Sequence, residues 1–152
     1  MELVQLDTPR RILGKTVQTK YALEVDPATT RIPGHWQAFM EMGGTSAIPA
    51  AQEAAIYAVY SDYESDMQGL YTLTLGTVSG AEASEEFKAA TLPAGRFLQF
   101  TAQGAAPDCT VNAWNEVWAY FADETSEHKR AYTTDFEVYT GPEGVSIYIE
   151  IE

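Results

Sequence analysis

Cysteine, histidine and long apolar runs are scarce in this chain of 152 residues, and each scarcity excludes a class of protein. The single cysteine, Cys109, excludes an internal disulfide framework and a cysteine-based zinc cluster. His35 and His128 stand alone in the sequence, so we expect no metal site. No run approaches the roughly 20 apolar residues of a membrane-spanning helix, and Met1–Val4 shows no secretory signal. We therefore expect a soluble, cytoplasmic protein that does not contact membranes.

Basic residues are also few, with nine lysines and arginines against 22 aspartates and glutamates and a net charge of −13. Such a chain repels phosphate groups and attracts cations, so direct binding to nucleic acid is not expected. Glycine-rich phosphate loops and a nucleophilic serine elbow are missing too, and we predict no cofactor and assign no catalytic residue. Large aromatic side chains, by contrast, are abundant: nine tyrosines, six phenylalanines and three tryptophans.

Hydrophobic periodicity predicts the same order of elements in each half of the chain. One helix is predicted to begin near Pro33 and to end at Gly43–Gly44, and another to open at Pro107–Asp108. Strands are predicted over 11–19, 54–60, 70–78, 87–92, 95–101, 132–139 and 145–151. The first half is therefore predicted as strand, helix, strand, strand, and the second half repeats that order with two strands, 87–92 and 95–101, before its helix.

Aromatic residues recur at nearly constant spacing between the halves. Trp36 and Trp114 are 78 residues apart, Tyr60 and Tyr139 are 79 apart, and Tyr71 and Tyr148 are 77 apart. These offsets favour two copies of one βαββ unit, roughly residues 1–80 and 81–152, within a single domain spanning 1–152. The predicted fold is α+β, with a pseudo-twofold antiparallel sheet, two helices and a ligand cleft between the halves.

The last predicted hairpin carries the clearest candidate site. Its aliphatic residues alternate with polar ones and are expected to face the core, which places Glu137, Tyr139 and Tyr148 on the opposite face. A carboxylate flanked by phenol rings suits an organic cation, because the rings supply cation–π attraction and the carboxylate supplies the counter-charge. The same pattern also fits an ordinary exposed strand face, and periodicity does not fix the register between the strands.

The tryptophans extend this candidate site. Trp114 and Trp118 share one face of the second helix, a stripe that is typical of a core helix but that can also reach a cleft. Trp36 is the equivalent residue of the first helix. At an offset of 79 residues Ala58 is equivalent to Glu137, so a charged site would be asymmetric. The matching hairpin of the first half contributes Tyr57 and Tyr71.

Five stretches form an ordered set that spans nearly the whole chain. They are Leu70–Gly76 (LYTLTLG), Leu92–Phe97 (LPAGRF), Val111–Phe121 (VNAWNEVWAYF), Asp135–Tyr139 (DFEVY) and Val145–Ile151 (VSIYIEI). Together they resemble the GyrI-like small-molecule-binding family, the effector-binding domain of AraC-type and related multidrug regulators. The resemblance implies duplicated βαββ units of the SHS2-like kind, with a pocket between them for lipophilic, often cationic aromatic molecules. It also implies that Glu137 faces this pocket and that the wall is formed by Trp114, Trp118, Tyr139, Tyr148, Tyr57 and Tyr71.

The family's regulators carry a helix-turn-helix domain, which we do not find in this sequence, so the chain resembles the stand-alone members. One hypothesis is a protein that binds a hydrophobic cation, with Glu137 as counter-ion. A second is a hydrolase of electrophilic small molecules, with Glu137 as base or nucleophile and Tyr139 or Tyr148 as proton donor. A third is an acidic inhibitor or partner of a DNA-acting protein, and a homodimer stays open. Distantly similar haem-binding relatives add a further alternative.

Overall fold

A computed structural model describes residues 1–66 and 68–152, and eight strands are found in these residues. They are β1 (Glu2–Leu6), β2 (Arg10–Thr19), β3 (Ile56–Ser61), β4 (Tyr71–Val78), β5 (Lys88–Leu92), β6 (Gly95–Gln103), β7 (Arg130–Tyr139) and β8 (Gly144–Ile151). The helices are α1 (Tyr21–Glu24), α2 (Ile32–Glu41) and α3 (Asp108–Ala122), with a 3-10 turn over Gly44–Ala47. Within the described ranges, none of the helices is long and apolar enough to cross a membrane.

The strands form one antiparallel sheet in the order β1-β6-β8-β7-β3-β4-β2-β5. Each strand of the first half has an equivalent four strands later: β1 with β5, β2 with β6, β3 with β7 and β4 with β8. When equivalent strands are exchanged, the order is the same read from the other edge, so the strand order has a twofold axis between β3 and β7. The two edge strands are exchanged, because β1 pairs with β6 and β5 pairs with β2. The predicted fold of two βαββ units is confirmed, and each unit has one additional strand.

Both long helices pack on the same face of the sheet. Helix α3 buries Ala113 and Val117 against a cluster that includes Ile147 of β8. Helix α2 covers the other half of the sheet, where Phe39 packs in a cluster with Leu75 of β4. Because the two helices cover opposite halves, the central strands β3 and β7 lie beneath the space between them.

Helix α2 begins where it does because a carboxylate satisfies its first free N–H groups. The Glu24 oxygens accept hydrogen bonds from the backbone N–H of Arg31 at 3.0 Å and of Ile32 at 3.1 Å. The hydroxyls of Thr19 and Thr30 donate to the same carboxylate. Burial alone raises the pKa of Glu24, but these hydrogen bonds outweigh it and lower the pKa. The acid therefore stays ionised next to the positive end of the helix.

In the last hairpin the side chains lie on other faces of the sheet than alternation led us to expect. Glu137 pairs directly with Ile147, and Phe136 pairs directly with Tyr148. Directly paired residues point to the same face, so Glu137 and Tyr139 lie on the helix-covered face together with the aliphatic residues of β8. The expectation that Glu137, Tyr139 and Tyr148 share the face opposite this aliphatic set was wrong. Tyr148 lies across the sheet from the other two.

The face without helices is packed as well, which is the physical reason for that error. Its core cluster contains Ile12, Tyr57, Val59, Leu92, Phe97 and Phe136. Tyr148 stacks on Phe136 with ring centroids 4.6 Å apart and an angle of 10° between the rings. Since both faces are buried, alternation does not tell core from solvent. The expected equivalence of Tyr71 and Tyr148 fails too, because Tyr71 alternates onto the helix-covered face with Leu73 and Leu75.

Candidate ligand-binding site

Glu137 lies at the centre of the sheet, on β7 and directly opposite Ala58 of β3. Both long helices reach this point. The Trp114 indole of α3 donates to the Glu137 carboxylate, and the Trp36 ring of α2 meets the Tyr139 ring edge-on at a centroid distance of 5.2 Å. The site is the groove between the helices, which we call the aromatic groove. Its residues are Trp36, Tyr60, Tyr71, Trp114, Trp118, Glu137 and Tyr139.

The Glu137 carboxylate is buried, the residue is 1% exposed, and each of its two oxygens accepts at least one hydrogen bond. Its Oε2 accepts from Trp114 Nε1 at 2.5 Å and from the Tyr60 hydroxyl at 2.8 Å, and its Oε1 accepts from the Tyr139 hydroxyl at 2.7 Å. All three donors are neutral. Among the described residues no lysine, arginine or histidine forms an ion pair with Glu137. The groove thus holds a buried acid with three neutral hydrogen-bond donors and, among the described residues, no counter-charge.

Burial raises the pKa of Glu137 above its ordinary value, because removal from water disfavours the charged carboxylate. The hydrogen bonds from Trp114, Tyr139 and Tyr60 partly oppose this effect. Burial also raises the pKa of Tyr60 well above its ordinary value and that of Tyr71 to about 12, and in both cases the nearby Glu137 adds to the shift. The phenols therefore stay protonated and act as donors at neutral pH.

A chain of aromatic contacts leads from Glu137 to the surface. The Tyr60 ring lies 5.5 Å from the Trp114 ring and 5.8 Å from the Tyr71 ring, measured between centroids. Trp114 lies 6.0 Å from Trp118, which is 49% exposed. Trp118 therefore forms the outer end of the lining on α3, one helical turn from the buried centre. Such a lining offers cation–π attraction along its whole length.

A second buried carboxylate lies on the same face of β7, two residues before Glu137. Asp135 is 0% exposed and forms an ion pair with Arg130 at 2.8 Å. The Tyr63 hydroxyl also donates to Asp135, at 2.6 Å. A register irregularity between Arg130 and Asp135 places Tyr132 in the left-handed region, with φ of 55°. Bulges of this kind redirect a side chain, and here the strand turns its own arginine toward its own aspartate.

The structure brings six of the eight predicted site residues into the aromatic groove and leaves two outside it. Those inside are Glu137, Trp114, Trp118, Tyr139, Tyr71 and Trp36. Tyr57 and Tyr148 lie on the other face of the sheet, so they do not line the groove. Tyr57 donates there to Glu53 at 2.9 Å, and Tyr148 accepts from Gln99 at 2.9 Å.

Sequence reasoning missed five polar or aromatic residues that lie in the groove or surround the Arg130–Asp135 ion pair beside it: Tyr60, Tyr63, Arg130, Tyr132 and Asp135. A signal for Tyr60 was present, because the offset of 79 residues relates it to Tyr139. Asp135 shares its strand face with Glu137 by simple alternation. No sequence pattern predicts the position of Arg130, because its side chain reaches Asp135 only through the register irregularity in β7.

Two cavities open on the face away from the helices. One of about 400 Å³ is lined by the β7–β8 turn together with Val138 and Tyr148. The other, of about 510 Å³, is lined largely by threonines of β2, β4, β5 and β7. Glu137 lines neither of these two cavities, and at 1% exposure its carboxylate is covered by its aromatic neighbours. Within residues 1–66 and 68–152 no group of three or more His, Cys, Asp or Glu side chains could hold a metal ion.

Comparison with known proteins gives matches over almost the full chain. The family model of the Cass2 integron-associated effector binding protein matches residues 2–151. The crystal structure of the integron cassette protein VCH_CASS2, from the mobile metagenome of Vibrio cholerae, is 32% identical with a TM-score of 0.83 and covers 99% of this chain and 95% of that one. YobU of Bacillus subtilis (strain 168), named as a transcriptional regulator protein, is 28% identical over 134 residues, which are 86% of this chain and 81% of YobU.

A second similar structure is that of SAV2435 bound to tetraphenylphosphonium, with a TM-score of 0.71, 18% identity and coverage of 99% of this chain and 93% of that one. At that identity the match shows a common fold. Fold and groove together define an effector-binding domain of the GyrI-like kind, as the resemblance implied. The chain belongs to the Cass2 family of integron-associated effector binding proteins.

Proposed function

We propose that this protein binds a lipophilic aromatic cation in the aromatic groove, with Glu137 as the counter-ion. Trp36, Tyr60, Trp114 and Tyr139 form the inner wall around the cation, and Tyr71 and Trp118 extend the wall outward. The rings supply apolar area and cation–π attraction, and the carboxylate supplies the opposite charge.

The observation that carries this proposal is the buried Glu137 carboxylate without a cationic partner. A buried carboxylate is costly even when it is hydrogen-bonded, because the dipoles of neutral donors replace only part of its hydration. A ligand cation placed against it relieves this cost. The three donors, at 2.5 to 2.8 Å, hold the carboxylate in position before a ligand binds.

The related fold of SAV2435 supports the same class of ligand. Tetraphenylphosphonium, the molecule bound to that protein, is a bulky aromatic cation. The groove of this protein is closed around Glu137, so a ligand of that size requires its aromatic side chains to move apart. The partly exposed Trp118 is the outermost ring of the lining on α3 and is placed to move first.

The test compares tetraphenylphosphonium with tetraphenylborate, which has nearly the same shape and the opposite charge. Isothermal titration calorimetry and tryptophan fluorescence measure both ligands with the wild type, Glu137→Gln and Glu116→Gln. Glu116 is exposed on α3, so its substitution makes the same change in net charge away from the groove. We expect tetraphenylphosphonium to bind the wild type and to lose about tenfold to a hundredfold in affinity in Glu137→Gln only.

Two results would contradict the proposal. One is equal affinity of the wild type for the cation and the anion. The other is equal weakening of tetraphenylphosphonium in Glu137→Gln and Glu116→Gln, which would assign the attraction to the overall charge of −13. Titrations with an electrophilic ester in place of the phosphonium separate binding from hydrolysis, since a binding protein returns the ester unchanged.

A further inference from the structure

The aromatic lining around Glu137 continues to a place that a cation of the protein itself already occupies. The guanidinium carbon of Arg130 lies 4.7 Å from the centroid of the Tyr132 ring and 5.8 Å from the centroids of both Tyr63 and Trp114. The Arg130 side chain is 7% exposed. Three rings around one buried guanidinium have the composition of an aromatic cage, and here the cage holds a side chain of the same strand.

Trp114 joins this cage to the Glu137 site. Its ring faces the Arg130 guanidinium, while its indole N–H donates to Glu137. Asp135 and Glu137 lie on the same face of β7, two residues apart. The cage that holds Arg130 and the Glu137 carboxylate, which has no counter-charge among the described residues, therefore form one continuous site.

The charges of this combined site do not balance. Two buried carboxylates, Asp135 and Glu137, face one buried guanidinium. Arg130 neutralises Asp135 at 2.8 Å, and the Tyr63 hydroxyl and the Glu150 backbone N–H complete the hydrogen bonding of that carboxylate. One negative charge, that of Glu137, is left over. The Arg130 Nε is also buried, and it has no hydrogen-bond partner among residues 1–66 and 68–152.

We propose that Arg130 determines ligand specificity by limiting the groove to ligands with a single positive charge. This inference rests on the proposed function and deepens it. A monocation neutralises Glu137 and completes the balance. A dication brings a second positive charge into a poorly hydrated site where Arg130 already neutralises Asp135, so no carboxylate is left to pair with that charge.

The overall charge of the protein predicts the opposite order of affinity. A surface with a net charge of −13 attracts a dication more strongly than a monocation of the same skeleton. A preference for the monocation therefore has to come from the groove. The unpartnered Arg130 Nε adds a donor at the same end, which favours a ligand whose far end carries a hydrogen-bond acceptor rather than a cation.

The experiment uses ethidium and propidium, fluorescent dyes with one phenanthridinium skeleton and one and two positive charges. Fluorescence titrations at fixed ionic strength give the ratio of their affinities for the wild type, Arg130→Met and the control Lys129→Met. Lys129 is the exposed neighbour of Arg130, so its substitution makes the same change in net charge. We expect the wild type and Lys129→Met to prefer ethidium by about tenfold or more, and Arg130→Met to lose or reverse that preference.

The double variant Arg130→Met/Asp135→Asn separates charge from size and also addresses folding. Arg130→Met alone leaves the Asp135 carboxylate buried and unpaired, which destabilises the fold. The double variant removes both charges and restores the charge count of the wild type. We expect it to regain the preference for ethidium. If the double variant shows the same ratio of ethidium to propidium affinity as Arg130→Met, the lost preference comes from the size of the Arg130 side chain and the inference is overturned.

The remaining outcomes distinguish the two proposals. Ethidium binding that needs Glu137, combined with an affinity ratio that neither Arg130 variant changes, supports the proposed function and overturns the role of Arg130. Equal affinity of the wild type for ethidium and propidium would also overturn the role of Arg130 while leaving the proposed function intact. No saturable binding of ethidium or tetraphenylphosphonium to the wild type overturns both proposals together.

Discussion

At the scale of single residues, the buried Glu137 carboxylate can be neutralised by a proton or by a cationic ligand. Burial raises the pKa of Glu137, so the folded protein holds this proton more tightly than the unfolded chain does. Both oxygens are within 2.8 Å of a donor, which fixes where either positive charge has to lie. Proton and ligand therefore compete for one acid.

Affinity for tetraphenylphosphonium is accordingly expected to fall with acidification. Below the raised pKa of Glu137, each pH unit lowers the affinity about tenfold, and above that pKa the affinity is level. Stability follows from the same shift. Because the folded pKa lies above the ordinary value of 4.5, the ligand-free protein loses stability as pH rises from 4.5 through the folded pKa. Calorimetric titrations and urea unfolding over this range measure both effects, and Glu137→Gln is expected to show neither.

A pair of tyrosine variants provides the control for this pH dependence. Tyr60→Phe removes a donor at 2.8 Å from the charged carboxylate, so it moves the midpoint of the affinity curve upward by about one pH unit or more. Tyr148→Phe removes a hydroxyl on the other face of the sheet and leaves the midpoint unchanged. An equal shift in both variants would show that the hydroxyl of Tyr60 does not act on Glu137.

Glu137, Trp114 and Tyr139 could be predicted from the sequence because each stands in a periodic segment that also resembles a family motif. Tyr148 was assigned to the wrong face of the sheet. Both faces are buried, so the alternation of residues does not indicate which face carries the site. Arg130 could not be predicted at all. Its contact with Asp135 depends on an irregularity of one strand, for which the sequence carries no spacing rule.

At the scale of elements, strands β2 and β4 approach each other so closely that neither Gly14 nor Gly76 has room for a side chain. The two glycines pair directly. A Cβ on Gly14 would lie 2.0 Å from the Leu75 carbonyl oxygen, and a Cβ on Gly76 would lie 2.0 Å from the Leu13 carbonyl oxygen. These neighbours are backbone atoms, which can move only if the strands separate.

Gly76→Ala is therefore expected to destabilise the protein by more than about 3 kcal/mol, because the clash has to be relieved by breaking part of the β2–β4 ladder. Gly34→Ala in α2 is the matched control, since a Cβ there meets nothing within 4 Å. Alanine also favours a helix, so the control is expected to be neutral or more stable by about 0.5–1 kcal/mol. Urea unfolding monitored by circular dichroism measures both, and a small effect at Gly76 would contradict the close approach.

At the scale of the whole molecule, the exchanged edge strands tie the two halves together. Strand β5 of the second half completes the sheet beside β2, and β1 of the first half completes it beside β6. The central pairing of β3 with β7 also joins the halves. Each half separated from the other exposes two unpaired strand edges, together with part of its core.

Fragments 1–80 and 81–152 are therefore expected to be unfolded or aggregated when each is prepared alone, and to regain native circular dichroism and tryptophan fluorescence when they are mixed in equal amounts. The physical reason is that each fragment supplies an edge strand to the sheet of the other. Cooperative thermal unfolding of either fragment alone would show that the exchange does not couple the halves.

The duplicated architecture could be predicted because two of the three aromatic pairs, Trp36 with Trp114 and Tyr60 with Tyr139, lie at matching positions and leave nearly equal offsets in the sequence. The long helices follow from a proline at the start, in the first turn of α2 and at the N-cap of α3, and from aromatic spacing. The strand exchange could not be predicted, because the partner of an edge strand is not encoded in its local pattern. Strand β1 was missed for a related reason: it is short and largely exposed, with little hydrophobic alternation.

Ala58 and Glu137 face each other across the twofold axis of the strand order, 79 residues apart in the chain. In a symmetric dimer of one βαββ unit, the same residue would occupy both positions. A glutamate would then face its own copy, and like charges directly opposite each other destabilise paired strands. An alanine would leave both positions neutral. A symmetric dimer can therefore carry two glutamates or none at this pair of positions. Joining the two units in one chain allows the two positions to differ, so that a single negative charge can lie there.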